Sequence, residues 1–88
     1  MELLDKFYKQ ILFFSENGKS IIQHPGIMAL EVQKMSGASR SQVIELFKKL
    51  LEIGFIEKIE GEEYALRIKT KMSLEELHEK IKPAANSC

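Results

Sequence analysis

The side chains of this sequence that could recognise another molecule are concentrated in one polar and basic stretch near the middle of the chain. They are Ser39, Arg40, Ser41, Gln42, Glu45, Lys48 and Lys49. An arginine can pair bidentately with guanine and a glutamine with adenine, so Arg40 and Gln42 suit the readout of base edges. Lys48 and Lys49, together with Lys34 upstream, suit contacts to phosphate. The stretch therefore predicts a nucleic-acid-binding surface, and the plainer alternative for each side chain is a solvated helix face.

A helix over residues 39–53 is predicted to hold these side chains, because apolar residues recur behind them at helical spacing. The apolar stripe consists of Val43, Leu46, Phe47 and Leu50. Ser39 supplies an N-cap hydroxyl, and Gln42 three residues later completes the spacing of a capping box. Gly54 supplies a left-handed C-terminal cap. Both ends of the helix are therefore defined by local residues.

A second helix is predicted just before this one, over residues 27–35. Residues 24–26 are predicted as the turn that precedes it. Residues 36–38 form the tight turn that follows, where Gly37 can adopt the positive φ that other residues resist. Together the two helices form a helix-turn-helix.

A β-hairpin is predicted after the helix-turn-helix. Residues 55–60 have strand character, and residues 63–68 alternate polar and apolar side chains. Gly61 lies between them, and two short strands around a glycine-containing loop are typical of a hairpin.

The order of these elements resembles the winged helix-turn-helix superfamily, which includes transcription regulators of the multiple-antibiotic-resistance and arsenic-repressor type. The residues that carry the resemblance are Val32, Gly37, Ser39, Val43, Leu46, Leu50, Gly54, Phe55, Ile56 and Tyr64. It implies an α+β fold that is mostly α, with a three-helix core, a small β-hairpin wing and an extra C-terminal helix. Residues 20–23 would be the short strand that pairs with the wing. Residues 1–83 would form a single domain and residues 84–88 a flexible tail.

Two flanking helices are predicted, and both raise the question of a second copy of the chain. Residues 2–15 carry more apolar side chains than one core-facing stripe needs. This surplus favours either burial on several sides of a small core or a homodimer contact.

The second flanking helix is predicted over residues 74–82, which begin with a capping box at Ser73 and end before Pro83. This helix is too short to be stable alone, so it must dock on its own domain or on the first helix of a partner subunit.

The charge balance is unusual for a DNA-binding domain. The 88 residues contain 13 basic and 13 acidic side chains, for a net charge of zero, whereas such domains usually have a basic excess. Residues 55–65 alone carry four glutamates against one lysine. The hypothesis is that this acidic wing does not contact DNA in the usual way.

Other classes of function lack a pattern in the sequence. No glycine-rich phosphate loop, nucleophile–base spacing or zinc signature is present, so we expect no enzymatic activity, cofactor, metal or small-molecule ligand. No apolar run approaches the roughly 18 residues of a membrane span, and no signal-peptide pattern opens the chain, so we expect neither a membrane span nor a signal peptide. Cys88 is the only cysteine, so a reducing, cytoplasmic setting is expected.

We therefore expect a small DNA-binding transcription regulator that reads the major groove of double-stranded DNA with helix 39–53. It would act as a homodimer through helix 2–15, with helix 74–82 as a second candidate contact. The alternative is a winged-helix protein–protein interaction module in a larger replication, transcription or membrane-remodelling assembly. The first expectation requires Arg40, Ser41 and Lys48 to be exposed.

Overall fold

Four helices and one two-stranded antiparallel hairpin make up the part of the chain that the computed structural model describes, residues 2–59 and 65–81. In chain order the elements are α1 (Glu2–Phe14), α2 (Pro25–Ser36), α3 (Arg40–Glu52), β1 (Ile56–Lys58), β2 (Leu66–Ile68) and α4 (Leu74–Lys80). The prediction of a mostly α fold with a small β element is confirmed. The domain limit at residue 83 and the tail 84–88 lie outside the described residues.

All six elements contribute to one hydrophobic core. Its buried side chains include Leu4, Phe7, Ile11, Met28, Val32, Val43, Leu46, Leu50, Ile56, Leu66 and Leu77. α1 packs against both α2 and α4, which explains part of its apolar surplus. The Tyr8 hydroxyl donates a hydrogen bond to the Met72 carbonyl (3.0 Å), and its ring stacks on Phe55. Phe13, by contrast, is 76% exposed.

α4 docks on α1 of its own subunit, which decides the alternative that its short length left open. Leu77 and Ile81 are buried in the shared core. The His78 imidazole Nε2 lies 2.7 Å from the Asp5 carboxylate on α1. Ser73 forms the predicted capping box with Glu76. Residue 82 and Pro83, predicted to close this helix, lie outside the described residues.

The helix-turn-helix has the predicted caps, but its turn begins one residue later than predicted, because Ser36 is the last residue of α2. Gly37 adopts φ +73° after α2. Ser39 and Gln42 form both hydrogen bonds of the capping box. At the other end of α3, Gly54 adopts φ +82°, and Phe55 N donates to the Leu50 carbonyl (3.1 Å). This last bond belongs to the Schellman motif that satisfies carbonyls at a helix end.

The predicted start of α2 was wrong. Pro25 and Gly26 do not form a turn but open the helix, so that α2 begins two residues earlier than expected. Proline is favoured in the first helical turn because its missing N–H would have no partner there and its φ already suits the helix.

Three backbone segments meet at Leu66. β1 and β2 pair in register with Lys58 opposite Leu66. On its other side Leu66 exchanges two hydrogen bonds with Ile22, of 2.7 and 2.9 Å. The strand predicted at residues 20–23 is thus a single bridge pair. The hairpin loop with Gly61 lies outside the described residues.

None of the helices in residues 2–59 and 65–81 is long and apolar enough to cross a membrane.

Candidate nucleic-acid interface

The polar side of α3 faces solvent. Ser39, Arg40, Ser41, Gln42, Glu45, Lys48 and Lys49 are all exposed. Val43, Leu46 and Leu50 hold the helix from behind, since their side chains are buried in the core. The exposure that DNA binding requires of Arg40, Ser41 and Lys48 is therefore present.

These residues do not share one face of the helix. By the periodicity of 3.6 residues per turn, Ser41, Glu45 and Lys48 point outward together. Arg40 turns toward α2, where it lines a groove between the two helices. Lys49 lies on the opposite flank of α3, a rotation of about 100° from Lys48. A ligand on the outer face would therefore meet Lys48 first.

Gln42 has a structural role that limits its use as a base reader. Its Oε1 accepts a hydrogen bond from Ser39 N (2.9 Å), and Ser39 Oγ accepts one from Gln42 N (3.2 Å). Reading adenine bidentately needs both the amide oxygen and the amide NH₂ of a glutamine. With Oε1 occupied by the cap, Gln42 can offer only its NH₂ unless the capping box opens.

The charge on α3 is mixed along its length. Arg40, Lys48 and Lys49 alternate with Glu45 and Glu52, and within the described residues none of these five forms an ion pair. A phosphate approaching the lysines would also meet carboxylates on the same helix. The surface is therefore only mildly attractive to a polyanion.

Lys34 lies in the last turn of α2 and not on α3. Its Nζ is 3.8 Å from the Glu31 carboxylate, and both side chains are well exposed. Exposed pairs of this kind contribute at most about 1 kcal/mol. Lys34 can therefore exchange this partner for a phosphate at little cost.

The described part of the predicted wing is its base, formed by β1 and β2. On the strands, the Arg67 side chain pairs with the Glu57 carboxylate at 2.5 Å. The acidic residues Glu60, Glu62 and Glu63 lie outside the described residues. The hypothesis of an acidic wing held away from DNA therefore stays a prediction.

A feature that the sequence did not reveal is an apolar groove of about 590 Å³ between α2 and α3. We call it the α2–α3 groove, and it is lined by Pro25, Gly26, Ile27, Ala29, Leu30, Gln33, Arg40, Val43, Ile44 and Phe47. Ile27 (54%), Leu30 (56%) and Ile44 (41%) are its exposed large side chains. Their positions in the sequence could have indicated the groove. Ile27 and Leu30 are three residues apart and so lie near each other on α2, and Ile44 lies outside the buried apolar stripe of α3.

The described residues also contain no group of three or more His, Cys, Asp or Glu side chains that could hold a metal ion. Comparison of the chain with protein-family models, curated proteins and solved structures found no match.

Proposed function

We propose that this protein is a small winged helix-turn-helix regulator that binds double-stranded DNA through α3. The observation that carries the proposal is the exposed polar side of a helix capped at both ends and held by buried Val43, Leu46 and Leu50. The β pairing supports the winged form, since β2 lies between β1 and the bridge residue Ile22.

In this proposal α3 enters the major groove with its N-terminal end toward the base edges. Ser41 and Lys48 lie on the outward side, and Arg40 reaches guanine or phosphate from the flank that faces α2. Lys34 and Lys49 contact phosphates on either side of the helix. Gln42 donates through its NH₂ while its oxygen stays in the cap.

A neutral chain gains little affinity from long-range attraction to DNA, so the proposal includes a homodimer. Two linked copies of α3 could occupy successive major grooves, roughly 34 Å apart. Binding at the second half-site is then favoured by a high effective concentration. Phe13, the most exposed large apolar side chain of α1 among those described, is the proposed centre of the contact.

The test is a fluorescence titration of duplex DNA at several salt concentrations. We expect the logarithm of the binding constant to fall linearly with the logarithm of the salt concentration, with a slope of about −2 to −4 per subunit, because only a few cations are available. Lys48→Ala should weaken binding several-fold and make the slope shallower by about one.

Lys19→Ala is the matched control, because Lys19 is an exposed lysine in the turn after α1. It should leave the affinity unchanged. No binding to any duplex at low salt would overturn the proposal. Equal effects of Lys48→Ala and Lys19→Ala would show that α3 does not contact the DNA.

The second candidate function is a winged-helix protein–protein interaction module in a larger assembly. The α2–α3 groove favours it, because clustered exposed apolar side chains typically mark sites of protein contact. The zero net charge favours it as well.

A further inference from the structure

Exposed apolar side chains are concentrated on one surface of this protein. Six large apolar side chains are exposed among the described residues, and three of them, Ile27, Leu30 and Ile44, line the α2–α3 groove. The partly buried Phe47 ring lies beneath them and stacks on Phe7 of the core. The apolar surface of the groove is therefore continuous with the hydrophobic core.

We propose that the α2–α3 groove binds an amphipathic helix of another protein that carries a carboxylate beside its apolar residues. The inference rests on the second candidate function, the interaction module. It does not require that the protein bind DNA.

The groove walls require the bound segment to be helical. Both walls are α-helices, whose backbone N–H and C=O groups are paired within α2 and α3 except at the helix ends. An extended segment in an apolar groove would have no partners for its own backbone groups, whereas a helix satisfies them internally. Helix-in-groove recognition is therefore the mode that fits.

The shape of the groove favours a macromolecule over a small ligand. Small-molecule pockets enclose most of the ligand surface. Here Ile27, Leu30 and Ile44 keep about half of their surface in water, so the groove is open along its length. The lining on α2 runs from Pro25 to Gln33, about 12 Å of helix. That length fits about two turns of a partner helix, with anchors at i, i+3 or i+4, and i+7.

Charge defines the polar part of the partner. Arg40 is the only charged residue among the described residues that line the groove, and no carboxylate lines it. Arg40 lies at the end nearest the α2–α3 turn, at the positive end of the α3 dipole. A partner carboxylate at that end would pair with Arg40 and fix the direction of the bound helix.

A second copy of the chain is a poorer occupant. In a two-fold contact through this surface, each groove would face an identical groove. Each Arg40 would then face a lining that contains another Arg40 and no carboxylate. Like charges brought together in this way disfavour the contact.

The test begins with selection of a displayed library of 14-residue helical peptides on the immobilised full chain. We expect the enriched peptides to carry apolar residues at i, i+3 or i+4, and i+7, and an acidic residue at one end. A fluorescein-labelled enriched peptide should bind at least tenfold more weakly to Ile44→Asp and to Leu30→Asp. Arg40→Glu should weaken it several-fold, and replacing the acidic residue of the peptide by lysine should restore affinity for Arg40→Glu.

Lys19→Glu is the control, since it makes the same charge change away from the groove, and circular dichroism checks that each variant is folded. Enriched peptides without an acidic preference, or a peptide whose affinity is unmoved by Ile44→Asp, would overturn the inference. Peptides that bind tightly at another surface would support the interaction module but show that the α2–α3 groove is not its binding site. Self-association lost in Ile44→Asp would assign the groove to a second copy instead.

Discussion

At the scale of single residues, Gln42 combines two roles that compete. Its side chain closes the capping box of α3 and also stands among the residues proposed to meet DNA. A hydrogen bond within the cap stabilises the helix end, but it occupies the oxygen that adenine readout needs. Stability and base recognition can therefore be separated at this one position.

Gln42→Glu is the substitution that separates them. A glutamate keeps the capping box and interacts favourably with the positive end of the helix dipole. The free energy of unfolding should therefore stay equal or rise by about 0.3 kcal/mol, measured by urea denaturation. The same change removes the NH₂ donor and adds a negative charge, so the affinity for duplex DNA should fall about tenfold.

Glu45→Gln provides the opposite control on the same helix. It removes a carboxylate from the outward side without touching the cap, so DNA binding should strengthen. If both variants changed affinity in the same direction, charge on α3 would not govern binding.

At the scale of elements, α2 shows how a helix start is set by its first residues. Pro25 opens the helix and Gly26 follows it without a positive φ. A Cβ built on either Gly26 or Gly37 would have no atom within 4 Å, but Gly37 adopts φ +73° in the turn after the helix. One glycine is thus replaceable and the other is required by the backbone.

The two glycines give a matched pair of alanine variants. Gly26→Ala should stabilise the protein by about 0.5 kcal/mol, because alanine loses less backbone entropy in a helix. Gly37→Ala should destabilise it by about 1 kcal/mol, because a left-handed conformation crowds the new Cβ. Urea unfolding of both variants measures the difference. A destabilised Gly26→Ala would mean that α2 does not begin at Pro25.

At the scale of the whole molecule, the proposed homodimer depends on the part of α1 that its own subunit leaves exposed. The Tyr8 hydroxyl already bonds to Met72 within the subunit, and α4 covers another part of α1. Phe13 is left to make a contact with a second copy, because 76% of its surface is exposed and its ring is edge-on to Phe14.

Light scattering of the full chain tests the dimer. The chain has a mass of 10.1 kDa, and we expect a species of twice that mass at micromolar concentration. Phe13→Ser should shift the population toward the monomer, because it removes the largest apolar side chain of the proposed contact. Ile21→Ser removes an exposed apolar side chain outside α1 and should leave the mass unchanged. A monomer at all concentrations would contradict the homodimer.

Local chemistry was sufficient to predict most of the secondary structure. The bounds of α3 follow from Ser39, Gln42 and Gly54, which act through hydrogen bonds and backbone angles within a few residues. The capping box at Ser73 predicted the start of α4 in the same way. The start of α2 was harder to predict. His24 offers no side-chain cap, and the apolar residues of α2 lie on several faces of the helix.

What the sequence by itself determined is therefore the set of elements, their order and the polar side of α3, since each depends on neighbours a few residues apart. The tertiary structure alone decided that Tyr8 serves the core, that α4 docks on its own subunit, and that Ile27, Leu30 and Ile44 form one groove. The physical reason is range: Tyr8 and Met72 are 64 positions apart in the chain, and no local periodicity specifies which face of α2 its neighbours leave uncovered.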